Sequence, residues 1–257
     1  MPNPVESGLW LRNYHKAPGA GARLICFPHA GGSASYYFPV SAALSPEFDV
    51  LAVQYPGRQD RRSDPFVDTI DALADELHTA IAPAMEGPVA FFGHSMGAVL
   101  AYEVTRRFEE RDGISPVVVF ASGRRAPSRQ RDENVHLRDD AGIIKEMRKL
   151  GGTDSRVLGD PELLEMVLPA IRNDYRAVER YSRGTDARIS APVVVMTAED
   201  DPRTTVEEAA AWEDHTTGGT TLHTFDGGHF YLEQHAGRVI DVIATTLRDR
   251  LRASVAG

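Results

Sequence analysis

Short apolar runs alternate with segments in which apolar residues recur at helical spacing. That alternation marks a mostly parallel sheet with helices on both faces. The runs are ARLICFP (22–28), DVLAVQY (49–55), PVAFFG (88–93), PVVVFAS (116–122), PVVVMTA (192–198) and TLHTFDG (221–227). They are rich in Val, Ile and Phe, and several follow a proline, as strands buried on both faces often do. Between them, Ile70, Leu73, Leu77 and Ile81 form one helical stripe, and Ile240, Ile243, Leu247 and Leu251 form another. The stretch from Trp10 to Tyr14 is expected as an antiparallel edge strand. From Ala126 to about Asp186 the rhythm breaks and only helical patterns remain. One contains Ile143, Ile144, Met147 and Leu150; the other contains Leu164, Val167, Leu168, Ile171 and Tyr175, with Pro169 expected to kink it. The expected division is therefore a core of residues 1–125 and 186–257, with 126–185 inserted as a helical lid over the C-terminal edge of the sheet.

Composition adds bounds to this picture. The 257 residues suffice for one α/β domain with a large core, and no apolar run approaches the length of a membrane span. The N-terminal residues lack the apolar centre of a signal peptide, so a cytoplasmic location is expected. The single cysteine, Cys26, is expected to be a buried strand residue. A net charge of −9 argues against nucleic acid as a partner. Two basic clusters stand out locally: Arg58, Arg61 and Arg62, and the run Arg124, Arg125, Arg129 and Arg131.

The chemistry centres on VAFFGHSMGAVLAYEV (89–104), where G-x-S-x-G falls between a strand-like run and a helix-like one. The motif alone is weak, but strand, sharp turn and helix together are the context of a nucleophile elbow. Gly93 and Gly97 permit the close backbone approach that such a turn demands. Ser95 then stands at a helix N-terminus, where free N–H groups favour developing negative charge. A serine hydroxyl needs a base, and the elbow's usual chain order is Ser, acid, His. His229 follows the strand-like run TLHTF and the turn Asp226-Gly227-Gly228, whereas His223 and His235 read as structural. The acid belongs after PVVVMTA, where Asp201 is favoured over Asp200. Met96 supplies one oxyanion N–H, and the glycine-rich loop FPHAGGSAS supplies a second at Ala30 or Gly31. His29 is expected to position that loop. GAGARL (19–24) precedes a strand instead of following one, which counts against a dinucleotide loop. No zinc spacing occurs, and neither metal nor cofactor is expected.

LICFPHAGGSASYY, FFGHSMGA, AWEDHTTG and FDGGHFYL together resemble the stand-alone type II thioesterases of polyketide and nonribosomal peptide biosynthesis. The resemblance covers nearly the whole chain. It implies an α/β-hydrolase fold, a mobile helical lid, and hydrolysis of acyl groups from the phosphopantetheine arm of an acyl or peptidyl carrier protein, as an editing step. The family's acid often follows a glycine, where this chain has Ala198. With no carrier domain evident, the carrier would be met in trans, and the run Arg124 to Arg131 is the expected docking patch. A carboxylesterase, a peptidase or a fatty-acyl thioesterase on the same fold, and a non-catalytic binding protein, remain as alternatives.

Overall fold

The computed structural model describes residues 8–152 and 158–256. The chain enters through β1 (Leu11–Arg12), β2 (Ala22–Phe27), α1 (Phe38–Leu44) and β3 (Phe48–Val53). It continues through α2 (Ile70–Ile81), β4 (Val89–His94), α3 (Met96–Arg107) and β5 (Val118–Ser122). The insertion follows, with α4 (Asp140–Leu150) and α5 (Pro161–Glu179). Then come β6 (Val193–Ala198), α6 (Val206–Ala210), β7 (Thr220–Phe225), α7 (Tyr231–Gln234) and α8 (Ala236–Ala256).

All six apolar runs are strands, and together with β1 they form one sheet in the order β1-β3-β2-β4-β5-β6-β7. Every pairing is parallel except that of β1, which runs antiparallel to β3 through Leu11↔Val53 and Arg12↔Ala52. The edge strand expected near Trp10 is thus present, though only two residues long. The strand compositions follow from position. Central β4, β5 and β6 are buried at every residue, whereas β7, with its Thr and His, is an exposed edge.

Successive strand residues point to opposite faces and feed two cores. Ile25, Phe27, Phe91, Val119 and Ala121 pack with the stripe of α2 and with α3. Leu24, Cys26, Phe92, Phe120 and Met196 pack instead with Ile243 and Leu247 of α8. Cys26 is fully buried there, and burial pushes its thiol pKa far above the usual range. The helix starts are equally local in origin: Thr69 caps α2 by accepting from the Ala72 N–H, and Asp139 caps α4 through the Gly142 N–H. Among the described residues no helix is long and apolar enough to cross a membrane.

The insertion has a small core of its own, built from Val135, Ile143, Met147, Leu168 and Ile171. Helix α5 continues through Pro169. The insertion is also tied to the sheet by polar contacts: Asp174 accepts from the Gly31 N–H at 2.8 Å and pairs with Arg58 at 2.6 Å. Asn173 Nδ2 donates to the Val67 carbonyl at 2.8 Å.

The tightest constraint lies where β4 hands over to α3. A Cβ on Gly97 would sit 2.0 Å from the Phe27 carbonyl oxygen, and one on Gly93 would sit 2.0 Å from the Gly97 carbonyl oxygen. Both obstacles are backbone, so no side-chain rearrangement relieves them. Gly97→Ala is therefore expected to lower stability by about 1–3 kcal/mol or more, or to prevent folding. Melting temperature and soluble yield report it, and a variant melting with the wild type would contradict the packing described.

Candidate active site

Only Ser95 separates β4 from α3, so the chain turns from strand to helix within one residue. That turn holds Ser95 at φ 55° and ψ −116°, a backbone region that a residue with a Cβ rarely adopts. Neighbouring strands clamp it, because the Ser95 N–H donates to the Ser122 carbonyl at 2.8 Å. Ser95 thus lines a pocket at the start of a twelve-residue helix whose first N–H groups have no helical acceptor.

The two partners arrive on the loops after β6 and β7. Asp201 Oδ2 lies 2.8 Å from His229 Nδ1, and the Arg203 backbone N–H donates to Asp201 Oδ1 at 2.8 Å. Both side chains are buried, whereas Asp200 is exposed to solvent. Of the two aspartates, the histidine therefore meets Asp201. His229 and Ser95 line one pocket, together with Ala30, Arg124, Glu133, Tyr175 and Phe230. With Asp201 accepting from Nδ1–H, the imidazole is left with Nε2 as its free acceptor.

The glycine-rich loop after β2 reaches the same pocket. Phe27 pairs with Gly93 across the sheet, so the two chains leave their strands at one level and bring Ala30 beside Ser95. Of the two N–H groups expected as the loop's donor, that of Gly31 is already engaged by Asp174. His29 is buried among the rings of Tyr36 and Phe230, at 4.7 and 4.8 Å. Burial, followed by the nearby His229 and Arg58, lowers its pKa to about 3, so it is a neutral wall of the loop. His94, likewise neutral through burial, shares a hydrogen-bonded chain with Ser122 Oγ (2.9 Å) and the Tyr231 hydroxyl (2.7 Å beyond it). His223 is half-buried in β7, and His235 Nε2 lies 3.1 Å from the Asp226 carbonyl, both away from the pocket.

The basic run requires a correction. Arg124 and Arg125 are buried, at 8% and 3% exposure, and turn inward from the end of β5. Arg125 forms a two-pronged pair with Glu133, with Nη2 at 2.7 Å and Nη1 at 3.2 Å. Arg131 binds Glu208 through both prongs, at 2.7 and 2.5 Å, and only Arg129 stands well exposed, 3.9 Å from Asp214. The run does not form a surface patch, because acids distant in sequence neutralise two of its members and burial hides two. The cluster at 58–62 divides similarly. Arg58 is held by Asp174, and Arg61 lies over the Trp10 ring at 4.2 Å, leaving Arg62 exposed.

Residues that sequence reading passed over complete the surroundings. Glu133 also pairs with Arg203 at 2.9 Å, and Arg203 reaches Glu146 at 2.8 Å, which in turn meets Arg138 at 2.7 Å. This network binds the insertion to the loop that carries Asp201. Asp174 left one signal in the sequence, an acid three residues after Ile171 on an otherwise apolar stripe. For Glu133, burial opposes the charged form, but Arg125's hydrogen bonds and the charges of Arg203, Arg125 and Arg124 prevail, lowering its pKa from 4.5 to about 2. A folded-state pKa below the unfolded one means stability fully present above 4.5 and lost as the pH falls toward 2. Glu133→Gln should thus be less stable than wild type at neutral pH, and the gap between their unfolding midpoints should close across that acidic window. A gap independent of pH would show that the carboxylate's charge contributes nothing.

Comparison with known proteins agrees with this geometry. The family model described as "Thioesterase domain" matches residues 22–247. A probable cadicidin biosynthesis thioesterase of Streptomyces griseus is 54% identical over 238 residues, covering 93% of this chain and 66% of the relative. Thioesterase PikA5 of Streptomyces venezuelae is 46% identical over 247 residues, covering 96% of this chain and 88% of that protein. Among solved structures, the type II thioesterase BorB from the borrelidin biosynthetic cluster superposes with a TM-score of 0.87 at 50% identity, covering 93% of this chain and 98% of that one. With an elbow serine, a paired histidine and aspartate, and this match over most of its length, the chain belongs to the thioesterase family of the α/β-hydrolase fold.

Proposed function

We propose that this protein is a type II thioesterase that hydrolyses acyl groups from the phosphopantetheine arm of acyl or peptidyl carrier proteins, clearing aberrant or stalled units in polyketide or nonribosomal peptide synthesis. The observation that carries the chemistry is the 2.8 Å contact between His229 Nδ1 and Asp201 Oδ2 in the pocket that Ser95 lines. The relatives named above include a cadicidin biosynthesis thioesterase and a type II thioesterase from the borrelidin biosynthetic cluster, which supports the substrate class.

In this mechanism Ser95 Oγ attacks the thioester carbonyl while His229 Nε2 takes its proton. Asp201 holds the imidazole in the required tautomer and stabilises the imidazolium that forms. The N–H groups of Met96 and Ala30 receive the oxyanion, each donor being worth roughly 2.7–4 kcal/mol in comparable enzymes. The protonated His229 gives its proton to the departing thiolate. It then deprotonates a water that attacks the acyl-serine, and the acid leaves with Ser95 restored. Helices α4 and α5 act as a lid. A groove of about 680 Å³ runs between the loop at Gly31–Tyr36 and the insertion at Met147–Gly152, and offers room for the arm.

Ser95→Ala should fold normally and retain less than about a thousandth of wild-type turnover on acyl-carrier thioesters, followed by intact-protein mass spectrometry. Asp201→Asn should lose far more rate than Asp200→Asn, because only the former disturbs the tautomer. The opposite ranking would move the acid to Asp200, and faster hydrolysis of oxygen esters than of pantetheine thioesters would favour a carboxylesterase. For the lid, amide exchange in Asp140–Leu150 and Pro161–Glu179 should outpace that in β4, and Asp174→Asn should raise it further. Equal protection in α5 and β4 would make the insertion a fixed wall.

A further inference from the structure

Arg124 is a buried cation that the mechanism above does not use. It lines the pocket that holds Ser95 and His229, and also an adjoining one bounded by Arg125, Arg129, Arg131 and Tyr181. Its guanidinium makes one long hydrogen bond, from Nη2 to the Val178 carbonyl at 3.4 Å, and no ion pair among the described residues. The acids nearby are already taken. Glu133 is shared by Arg125 and Arg203, Glu146 by Arg203 and Arg138, and Asp201 holds His229.

Glu133 lines the same pocket, but its one carboxylate is bonded to Arg125 and Arg203, so three guanidiniums share it and Arg124 has no ion pair of its own among the described residues. A guanidinium buried with so little compensation is costly to the fold, and an incoming anion would offset that cost. Its planar fork suits a carboxylate, which it can bind through two parallel hydrogen bonds. Because Arg124 lines the same small pocket as the nucleophile, the anion it meets belongs near the reacting carbonyl. The phosphate of the pantetheine arm is at the far end of a long chain from the thioester. We infer that Arg124 forms an acyl-end subsite for a carboxylate, so that the enzyme accepts mono-thioesters of dicarboxylic acids. The inference rests on the thioesterase reading and narrows its substrate class.

The test compares kcat/KM for malonyl- and succinyl-pantetheine with their uncharged isosteres, 3-methylbutanoyl- and 4-methylpentanoyl-pantetheine. Wild type should hydrolyse at least one acidic substrate at a rate comparable to its isostere. Arg124→Met should lower kcat/KM on that substrate by about tenfold or more, the usual scale for losing a charge-assisted hydrogen bond. It should change the isosteres by less than about threefold, and Arg124→Lys should keep part of the preference. Thermal melting checks the fold. Since no ion pair is lost, Arg124→Met should melt no lower than wild type, and if it fails to fold, Arg124→Gln and Arg124→Lys carry the same comparison. Equal losses on acidic and neutral substrates, or wild-type action on the isosteres alone, would overturn the subsite. So would a loss that appears only when the same four acyl groups are assayed on phosphopantetheine in a parallel series, which would assign Arg124 to the phosphate. Hydrolysis of none of the four thioesters by wild type would instead bring down the thioesterase reading, and the subsite with it.

Discussion

Backbone pressed against backbone at Gly97 sets the geometry on which the rest of the site depends. The helix that follows Ser95 begins against the Phe27 carbonyl, so the strand-to-helix turn has no slack and Ser95 absorbs the strain in its own φ and ψ. The same contact fixes the neighbouring loop. Because β2 and β4 end level, the chain leaving Phe27 passes directly beside the serine. A single steric constraint thus orients Ser95 and brings Ala30 to the same pocket.

Much of this was legible in the chain. Strands buried on both faces must be apolar throughout, which is why β4, β5 and β6 read clearly, and the stripes of α2 and α8 follow from packing one face each. The two elbow glycines were legible because the obstacle they avoid is local backbone. His229 and Asp201 could be placed because each stands on the loop after its strand. The strands of the 126–185 segment are missing from sequence and structure alike among the described residues.

Charge was where sequence reading failed, and for a physical reason. Arg124 to Arg131 is a same-sign run, and such runs usually face water. Here the compensating acids lie far along the chain, Glu208 for Arg131 and Glu146 for Arg203, or across a turn, as Glu133 does for Arg125. Spacing cannot reveal partners that only the tertiary fold assembles. Buried pairs of this kind seldom add much net stability over apolar packing, but removing one member strands the other. Their effect is to fix which surface of the insertion meets the loop carrying Asp201, and in what register.

Asp174 holds two things with one carboxylate: the guanidinium of Arg58 and the N–H of Gly31. It stands on α5, so any swing of that helix away from the sheet releases the loop next to Ala30. An enzyme opened to admit its substrate would then have its oxyanion donor unlatched, and the donor would be set again only on closing. With the proposed roles of the insertion and of Ala30, access and reactivity would be interlocked, the door and the trigger sharing one bolt. A thioester brushing past the open mouth would meet a serine that is not yet ready, and only an arm that stays long enough for the helix to settle would be cut. Discrimination between a passing intermediate and a stalled one would then be made by dwell time, with no need to recognise the error itself.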